Sequence, residues 1–401
     1  MIDAFIVDGT RTPIGNFGGA LSSVRADDLA ARVIRALVAR HANLNTELID
    51  DVVMGCANQA GEDNRNVARM ASLIAGLPVR VPGETVNRLC ASGLSAVAHT
   101  ARAIQVGEGQ LFVAGGVEHM TRGPWVISKT SSAFGRDAQM FDSSFGWRFI
   151  HPFMKEKYGV EAMGETAENL AEQFAISRED QDQFAIWSQE KASKAEAQGI
   201  FSEEITPVQI PMKKGDDLIV VKDEFIKPKT NAESLGKLKP AFRAGGTVTA
   251  GNSSGLNDGA AALLIASEKG AIEHGLTPMA RVVSTGVYGV EPRIMGIGPV
   301  GATNLALSRA GLKIDDLDVI ELNEAFAAQV LACTRSLGID DRDPRLNQHG
   351  GAIALGHPLG MSGARLALSA SRSLQRSGGK YALVTMCIGV GQGYAMILER
   401  A

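Results

Sequence analysis

The sequence predicts an α/β protein built from one unit used twice, and three observations carry that prediction. Short apolar runs alternate with amphipathic stretches and glycine-rich turns, the pattern of buried strands covered by helices. Two parts of the chain match each other in order at a separation of about 270 residues, which signals an internal duplication. At 401 residues the chain also exceeds what one hydrophobic core accommodates, so two or three domains are expected.

Taken in order, residues 1–8 read as a strand and carry no basic stretch ahead of an apolar one. Residues 26–42 read as a helix and 49–56 as a strand. Leu94, Val97, Ala101 and Ile104 recur at helical spacing over 91–106, and Gly107 stops that run. A strand over 111–116, a helix over 167–174 and a strand over 280–285 follow. Near the end come a strand over 318–322 and a helix over 324–336.

The duplication rests on three matches. Ser92-Gly93-Leu94 opens a helix that carries Arg102, ends at Gly107 and leads into Leu111-Phe112-Val113-Ala114. Ser362-Gly363-Ala364 opens one that carries Arg372, ends at Gly378 and leads into Ala382-Leu383-Val384-Thr385. Upstream, Ile49-Asp50-Asp51-Val52-Val53 parallels Ile314-Asp315-Asp316-Leu317-Asp318. The expected halves are residues 1–120 with 247–270, and 276–401. Residues 121–246 are richer in charge and in aromatics such as Trp125, Phe134, Phe149 and Phe153, so they read as a folded insertion over one half rather than a linker.

Composition excludes several function classes. The 40 Lys and Arg against 44 Asp and Glu give a net charge of −4, which argues against a general nucleic-acid footprint. Cys56, Cys90, Cys333 and Cys387 lie far apart with no CxxC pair, so neither a metal site nor a disulfide framework is suggested. No targeting segment or apolar run of membrane length is visible, and a cytoplasmic location with no membrane partner is expected.

The reactive groups fall in four distant segments. Cys90 stands where a strand hands over to a helix, and unpaired N–H groups there favour an anion. A thiol of pKa about 8.5 needs about 2.7 kcal/mol to reach about 6.5, whereas a helix terminus supplies at most about 2 kcal/mol. A second activator is therefore required. His357, between Gly356 and Pro358 and just ahead of the second-half helix, is the first candidate, and His349 is the competing imidazole. Asn323 ends a strand; its carboxamide can serve a site without charge or simply cap the following helix. Cys387 occupies the duplicate position near the end of its strand, where it can act as a second acid/base sulfur, and backbone N–H groups near Gly389 can complete an oxyanion hole. Cys56 and Cys333 read as buried packing residues. Lys227, Lys229, Lys237, Lys239 and Arg243 crowd one loop against Glu233, either as a solvated face or as a phosphate site.

At these residues the chain resembles the thiolase family. The resemblance spans nearly the whole chain through Asp8-Gly9-Thr10-Arg11-Thr12-Pro13, the Cys90 segment, Met163-Gly164-Glu165-Thr166-Ala167-Glu168-Asn169, Gly251-Asn252-Ser253-Ser254-Gly255, Asn323-Glu324-Ala325-Phe326, Gly356-His357-Pro358 and Cys387-Ile388-Gly389. It implies a duplicated αβαβα five-layer sandwich with an inserted loop domain, commonly a homotetramer, acting on CoA thioesters with coenzyme A as co-substrate and no tightly bound cofactor. By the same resemblance Cys90 is the acyl-accepting nucleophile, His357 its base and Cys387 the acid/base for the α-proton. Asn323 with His357 would hold the water of one oxyanion hole, and the amides of Cys90 and Gly389 would form the other. Ser254 matches a pantetheine contact. Lys227, often Arg in the family, and Ser234 match nucleotide contacts, and Met163, Phe242 and Phe326 match further substrate positions.

Within the family, Gly55-Cys56-Ala57-Asn58-Gln59-Ala60-Gly61-Glu62-Asp63-Asn64-Arg65 and Gly146-Trp147-Arg148-Phe149-Ile150 look like the branch that cleaves 3-oxoadipyl-CoA to succinyl-CoA and acetyl-CoA. Ala162 stands where short-chain biosynthetic members usually carry His. Arg148, His151 and Lys157 are candidate partners for a terminal carboxylate. The alternatives are a general acetyl-CoA acetyltransferase and a non-catalytic acyl-CoA-binding relative. A decarboxylating condensing enzyme would ordinarily show His at the position of Cys387.

Overall fold

The computed structural model describes residues 2–401; Met1, placed by the sequence at the head of the first strand, lies outside the described residues. Nine strands and eight helices position the site. The strands are β1 (Ala4–Arg11), β2 (Asp51–Gly55), β3 (Glu84–Val86), β4 (Leu111–His119), β5 (Asn257–Ser267), β6 (Ala280–Gly289), β7 (Val319–Leu322), β8 (Tyr381–Ile388) and β9 (Gln392–Arg400). The helices are α1 (Ala26–Ala39), α2 (Val67–Ala75), α3 (Ser92–Val106), α4 (Met163–Gln173), α5 (Arg178–Ala197), α6 (Gly298–Ala310), α7 (Ala327–Leu337) and α8 (Leu359–Ser377).

The first half pairs its strands in the order β1-β5-β4-β2-β3, with β2 parallel to both β4 and β3. The second half repeats this order as β6-β9-β8-β7, and Ile320 bridges in parallel to Leu346 where the fifth strand would stand. Among the described residues, the two sheets meet where Phe5 and Ile6 of β1 pair with Arg281 and Ala280 of β6.

Each layer follows from the burial of one apolar face. Leu29, Val33, Ile34 and Leu37 of α1 cover Val52, Val113 and Leu264 on the outer face of the first sheet. Val330 and Leu331 of α7 lie with Ile320, Leu383 and Ile397 on the outer face of the second. Between the sheets, α3 and α8 share one core in which Leu94, Val97, Leu366 and Ala370 meet Ile265, Val384 and Met396. The result is the five-layer αβαβα order.

The duplicated Ser-Gly pairs mark the crossing of those central helices. A Cβ on Gly93 would stand 2.5 Å from the Gly360 carbonyl oxygen, and one on Gly363 would stand 2.4 Å from the Leu94 nitrogen. Both contacts fall in the first turns, so α3 and α8 meet by their N-terminal ends. Each helix ends on a left-handed glycine, Gly107 (φ 85°) and Gly378 (φ 72°).

The segment 121–246 contributes α4, α5 and two short hairpins, Trp125–Ile127 with Met140–Asp142 and Val208–Ile210 with Leu218–Val220. Its aromatics do not form the core that their number suggested, since Trp125, Phe134, Phe149 and Phe153 are all exposed. A buried ion cluster fastens the segment to the first sheet instead. Arg11 of β1 donates twice to Asp223, at 2.7 and 2.9 Å, and from Nε to Glu204 at 3.1 Å. Among the described residues no helix is long and apolar enough to cross a membrane.

Candidate active site

Cys90 sits in a single tight turn, Leu89–Ala91, immediately ahead of α3. His357 precedes α8 by two residues. The helix crossing therefore brings the nucleophile candidate of one half and the imidazole candidate of the other to the same end of the central layer. His349 is not part of this arrangement: it lies near Arg376, Glu203 and Glu204.

Asn323 follows β7 directly, its N–H bonded to the Thr385 carbonyl at 3.0 Å. The reading of Asn323 as a helix cap does not hold, because α7 begins only at Ala327 with Phe326 in the cap position. The carboxamide nitrogen of Asn323 instead lies 3.3 Å from Nε2 of His357.

The imidazole tautomer follows from its neighbours. Ser362 Oγ donates to the Pro358 carbonyl at 2.7 Å, so it can only accept at His357 Nδ1, also 2.7 Å away. Nδ1 thus carries the hydrogen and Nε2 presents a lone pair, which Asn323 Nδ2 approaches as a donor. Burial, reinforced by the charge of Arg365, pushes the His357 pKa down to about 3, so the ring is neutral over the whole physiological range.

Cys90 is a neutral thiol in the resting site, consistent with a helix terminus too weak to ionise it. Burial pushes its pKa up to about 11, while hydrogen bonds from the backbone N–H groups of Gly389 and Cys90 itself act in the opposite direction. Desolvation of an anion outweighs the partial charge of one helix end. Cys387 is fully buried, and that burial, followed by its closeness to Cys90, raises its pKa well above the usual thiol range. The resting site is two thiols and a neutral base. Alkylation of Cys90 by iodoacetamide is therefore expected to accelerate about tenfold per pH unit between pH 7 and 10. Peptide mass spectrometry would check this, and a rate plateau already reached at pH 7 would instead reveal a thiolate–imidazolium pair.

The remaining cysteines differ from expectation in part. Cys333 is buried and donates to the Gly296 carbonyl at 3.1 Å. Cys56 is not plain packing, since its sulfur lies with carboxylate oxygens of Asp63 and Glu118 within 4.8 Å. The Glu118 oxygens are taken by the amides of Ala57, Asn58 and Gly360, at 3.0, 3.0 and 2.8 Å.

A cleft of about 630 Å³ adjoins this centre and is lined by Lys227, Lys229, Ser234, Leu238, Gly251 and Ile353 among others. Neither Cys90 nor His357 lines it. Gly251 leads from it to Ser254, whose N–H bonds to the Ala325 carbonyl at 2.9 Å. Phe242 packs edge-on against Phe326 with centroids 6.1 Å apart, and a Cβ on Gly164 would strike its ring. Met163 and Leu89 border Gly389, at 3.7 and 3.5 Å from where its Cβ would be. The basic stretch divides: Lys227 and Lys229 face the cleft, whereas Lys237 pairs with Glu233 and Arg243 with Glu165 and Glu172.

Residues 4–269 match the family described as thiolase, N-terminal domain, and residues 276–400 match thiolase, C-terminal domain. The chain belongs to the thiolase family. This thiolase is 62% identical, over 100% of both chains, to the 3-oxoadipyl-CoA/3-oxo-5,6-dehydrosuberyl-CoA thiolase of Escherichia coli strain K12. It is 56% identical, again over 100% of both, to a beta-ketoadipyl-CoA thiolase of Acinetobacter baylyi. The crystal structure of the Bacillus anthracis acetyl-CoA acetyltransferase superposes with a TM-score of 0.92 at 40% identity, covering 100% of this chain and 99% of that one. A human mitochondrial 3-ketoacyl-CoA thiolase in complex with CoA gives 0.91 at 40% identity, covering 100% and 98%. As a thiolase, this chain is an acyl-transferring enzyme that acts on CoA thioesters.

Ser362 is the residue that sequence reasoning missed in this thiolase: it served only as a marker of the duplication. Removing its oxygen in Ser362→Ala frees the ring to adopt the other tautomer. kcat is expected to fall about 10- to 100-fold, within the range of a general base's contribution, with KM for CoA nearly unchanged. An unaltered kcat in steady-state assays would show that the ring is held by other contacts.

Proposed function

We propose that this thiolase cleaves 3-oxoadipyl-CoA with coenzyme A to succinyl-CoA and acetyl-CoA, through an acyl group carried on Cys90. The chemistry rests above all on one observation. A neutral imidazole with its lone pair at Nε2, approached by the Asn323 carboxamide, stands in the same site as two neutral thiols, one of which accepts the Gly389 N–H. The substrate rests on the full-length identity to relatives named for 3-oxoadipyl-CoA and beta-ketoadipyl-CoA.

In the first stage His357 Nε2 takes the Cys90 proton as the sulfur attacks the 3-oxo carbonyl. Deprotonation coupled to attack suits a thiol whose pKa is pushed up to about 11. The amides of Cys90 and Gly389 donate to the developing oxyanion. The bond between C2 and C3 breaks, leaving acyl-Cys90 and the enolate of acetyl-CoA, and Cys387 gives its proton to the enolate carbon. In the second stage the CoA thiol returns a proton to Cys387 and its sulfur attacks the acyl carbonyl. His357 gives its proton to the departing Cys90 sulfur, and the resting state is restored. Splitting one carbon–carbon cleavage into two steps is what the covalent carrier achieves. Lys227 and Ser234 in the adjoining cleft hold the CoA nucleotide, with Ser254 on the pantetheine path; Met163, Phe242 and Phe326 wall the route between. The enzyme works as a cytoplasmic homotetramer.

Of the three cations considered for the distal carboxylate, two are engaged elsewhere. Lys157 lies over the rings of Phe153 and Tyr158 at 5.5 and 5.4 Å, and His151 caps the helix that begins at Pro152. Arg148 is half-buried and gives one N–H to the Ser143 carbonyl at 3.0 Å, leaving other donors of its fork for a carboxylate. The test compares kcat/KM for 3-oxoadipyl-CoA, acetoacetyl-CoA and a neutral six-carbon 3-oxoacyl-CoA. A preference of at least tenfold for the dicarboxylate is expected. Equal values would make the protein a general acetyl-CoA acetyltransferase.

A further inference from the structure

The two backbone donors assigned to the oxyanion come from opposite halves of the duplication, on segments that no covalent link holds at a fixed spacing. Donors of this kind act only within a few tenths of an ångström of the right position. Both segments are strained. Leu89, just before Cys90, has φ 47°, and Val390, just after Gly389, has φ 65°, a region unfavourable for any side chain and most of all for a β-branched one. Burial does not offset this at Val390, which is 38% exposed. Local bonds hold Leu89 in part, through its N–H on Asn87 Oδ1 at 2.9 Å and the Arg88 N–H on Ser92 Oγ at 2.9 Å.

Besides the packing of Leu89 beside Gly389, one polar side-chain contact joins the two strained turns. Arg88 Nη1 donates to Gln392 Oε1 at 3.3 Å, and the guanidinium lies over the ring of Tyr394, 5.6 Å from its centroid. Gln392 pairs with Ile388 across the turn that contains Gly389 and Val390. Arg88 is half-buried in this position, and its Nε has no hydrogen-bond partner among the described residues. A buried N–H left unmatched is unfavourable, so the side chain is held there at the expense of its own hydrogen bonding.

We propose that Arg88 and Gln392 form a positioning tie that fixes the spacing of the Cys90 and Gly389 amides; this rests on the acyl-Cys90 reading above. Neither side chain lines the cleft of about 630 Å³. Removing the tie lets the strained turns relax apart, and the acyl carbonyl then receives weaker hydrogen bonds.

The test uses the full-length enzyme and succinyl-CoA labelled with carbon-13 at the thioester carbonyl. Isotope-edited infrared spectra of succinyl-Cys90 read the hydrogen bonds to that carbonyl. In Arg88→Met and Gln392→Met the band is expected to move to higher wavenumber, with kcat lowered about 10- to 100-fold and KM for CoA within about threefold of the wild type. Gln392→Glu, which keeps an acceptor for Arg88, should restore the band position. If Arg88→Met does not fold, Gln392→Met decides alone. A label on wild-type Cys90 with band and kcat unchanged in the folded variants would overturn the tie. No label on wild-type Cys90 would overturn the acyl-enzyme reading, and the tie with it.

Discussion

Cys90→Ala is expected to hold no acyl group and to lower thiolysis by at least about 10⁴-fold, the scale of losing a covalent nucleophile. No other sulfur can take over. Cys333 is fully buried and engaged with Gly296, and Cys56 donates to the Asn58 carbonyl at 2.8 Å, beside Glu118. Cys387 is a buried neutral thiol whose proposed task is the α-proton. The loss should also be specific, because Cys90 is only partly buried and Ala conserves its backbone preferences. Circular dichroism should match the wild type while intact-mass spectrometry after mixing with acyl-CoA shows no adduct. A full acyl burst in the variant would refute the assignment.

Gly363→Ala is expected to be strongly destabilising for a single added methyl. Its Cβ would stand 2.4 Å from the Leu94 nitrogen and 2.6 Å from the Leu94 Cβ, so the central helices must separate. Ala gains about 1 kcal/mol over Gly in a helix, whereas overpacking against unyielding backbone costs about 3 kcal/mol, the upper end of its usual range, a net loss of about 2 kcal/mol. Activity should fall with stability, since the same crossing places Cys90 and His357. Gly236 is the control: it ends the short helix Ala232–Gly236 with nothing within 4 Å of its Cβ position, and Gly236→Ala should leave the melting temperature unchanged or slightly raised. A melting temperature for Gly363→Ala equal to that of the control would show that the helices adjust freely.

The sequence made the repeat legible because helix stops and strand runs are local. Gly107 and Gly378 end their helices where the periodicity stops, and the Ser-Gly pairs that mark the repeat are the crossing itself. Proton states were not legible. Whether Cys90 is a thiolate depends on how much protein surrounds it, and α8, which closes over it, lies in the other half. The role of Asn323 was ambiguous for a related reason: a cap and a site residue look alike until the helix start is known, and it falls at Ala327. Ser362 and Arg88 escaped because each acts on a partner through a specific atom, Nδ1 in one case and the Gln392 oxygen in the other. The basic stretch reads two ways in the sequence, as a solvated face or a phosphate site, for want of its partners, since Glu165 and Glu172, which engage Arg243, lie far back along the chain.

The seam between the sheets consists of Phe5 and Ile6 against Ala280 and Arg281. It runs between a half that owns the proposed nucleophile and a half that owns the proposed base and acid. A chain on which only the first half has formed during synthesis has a sulfur and no proton acceptor; one with only the second half has the acceptor and no acyl carrier. Competence to break a carbon–carbon bond arrives in one step, with docking.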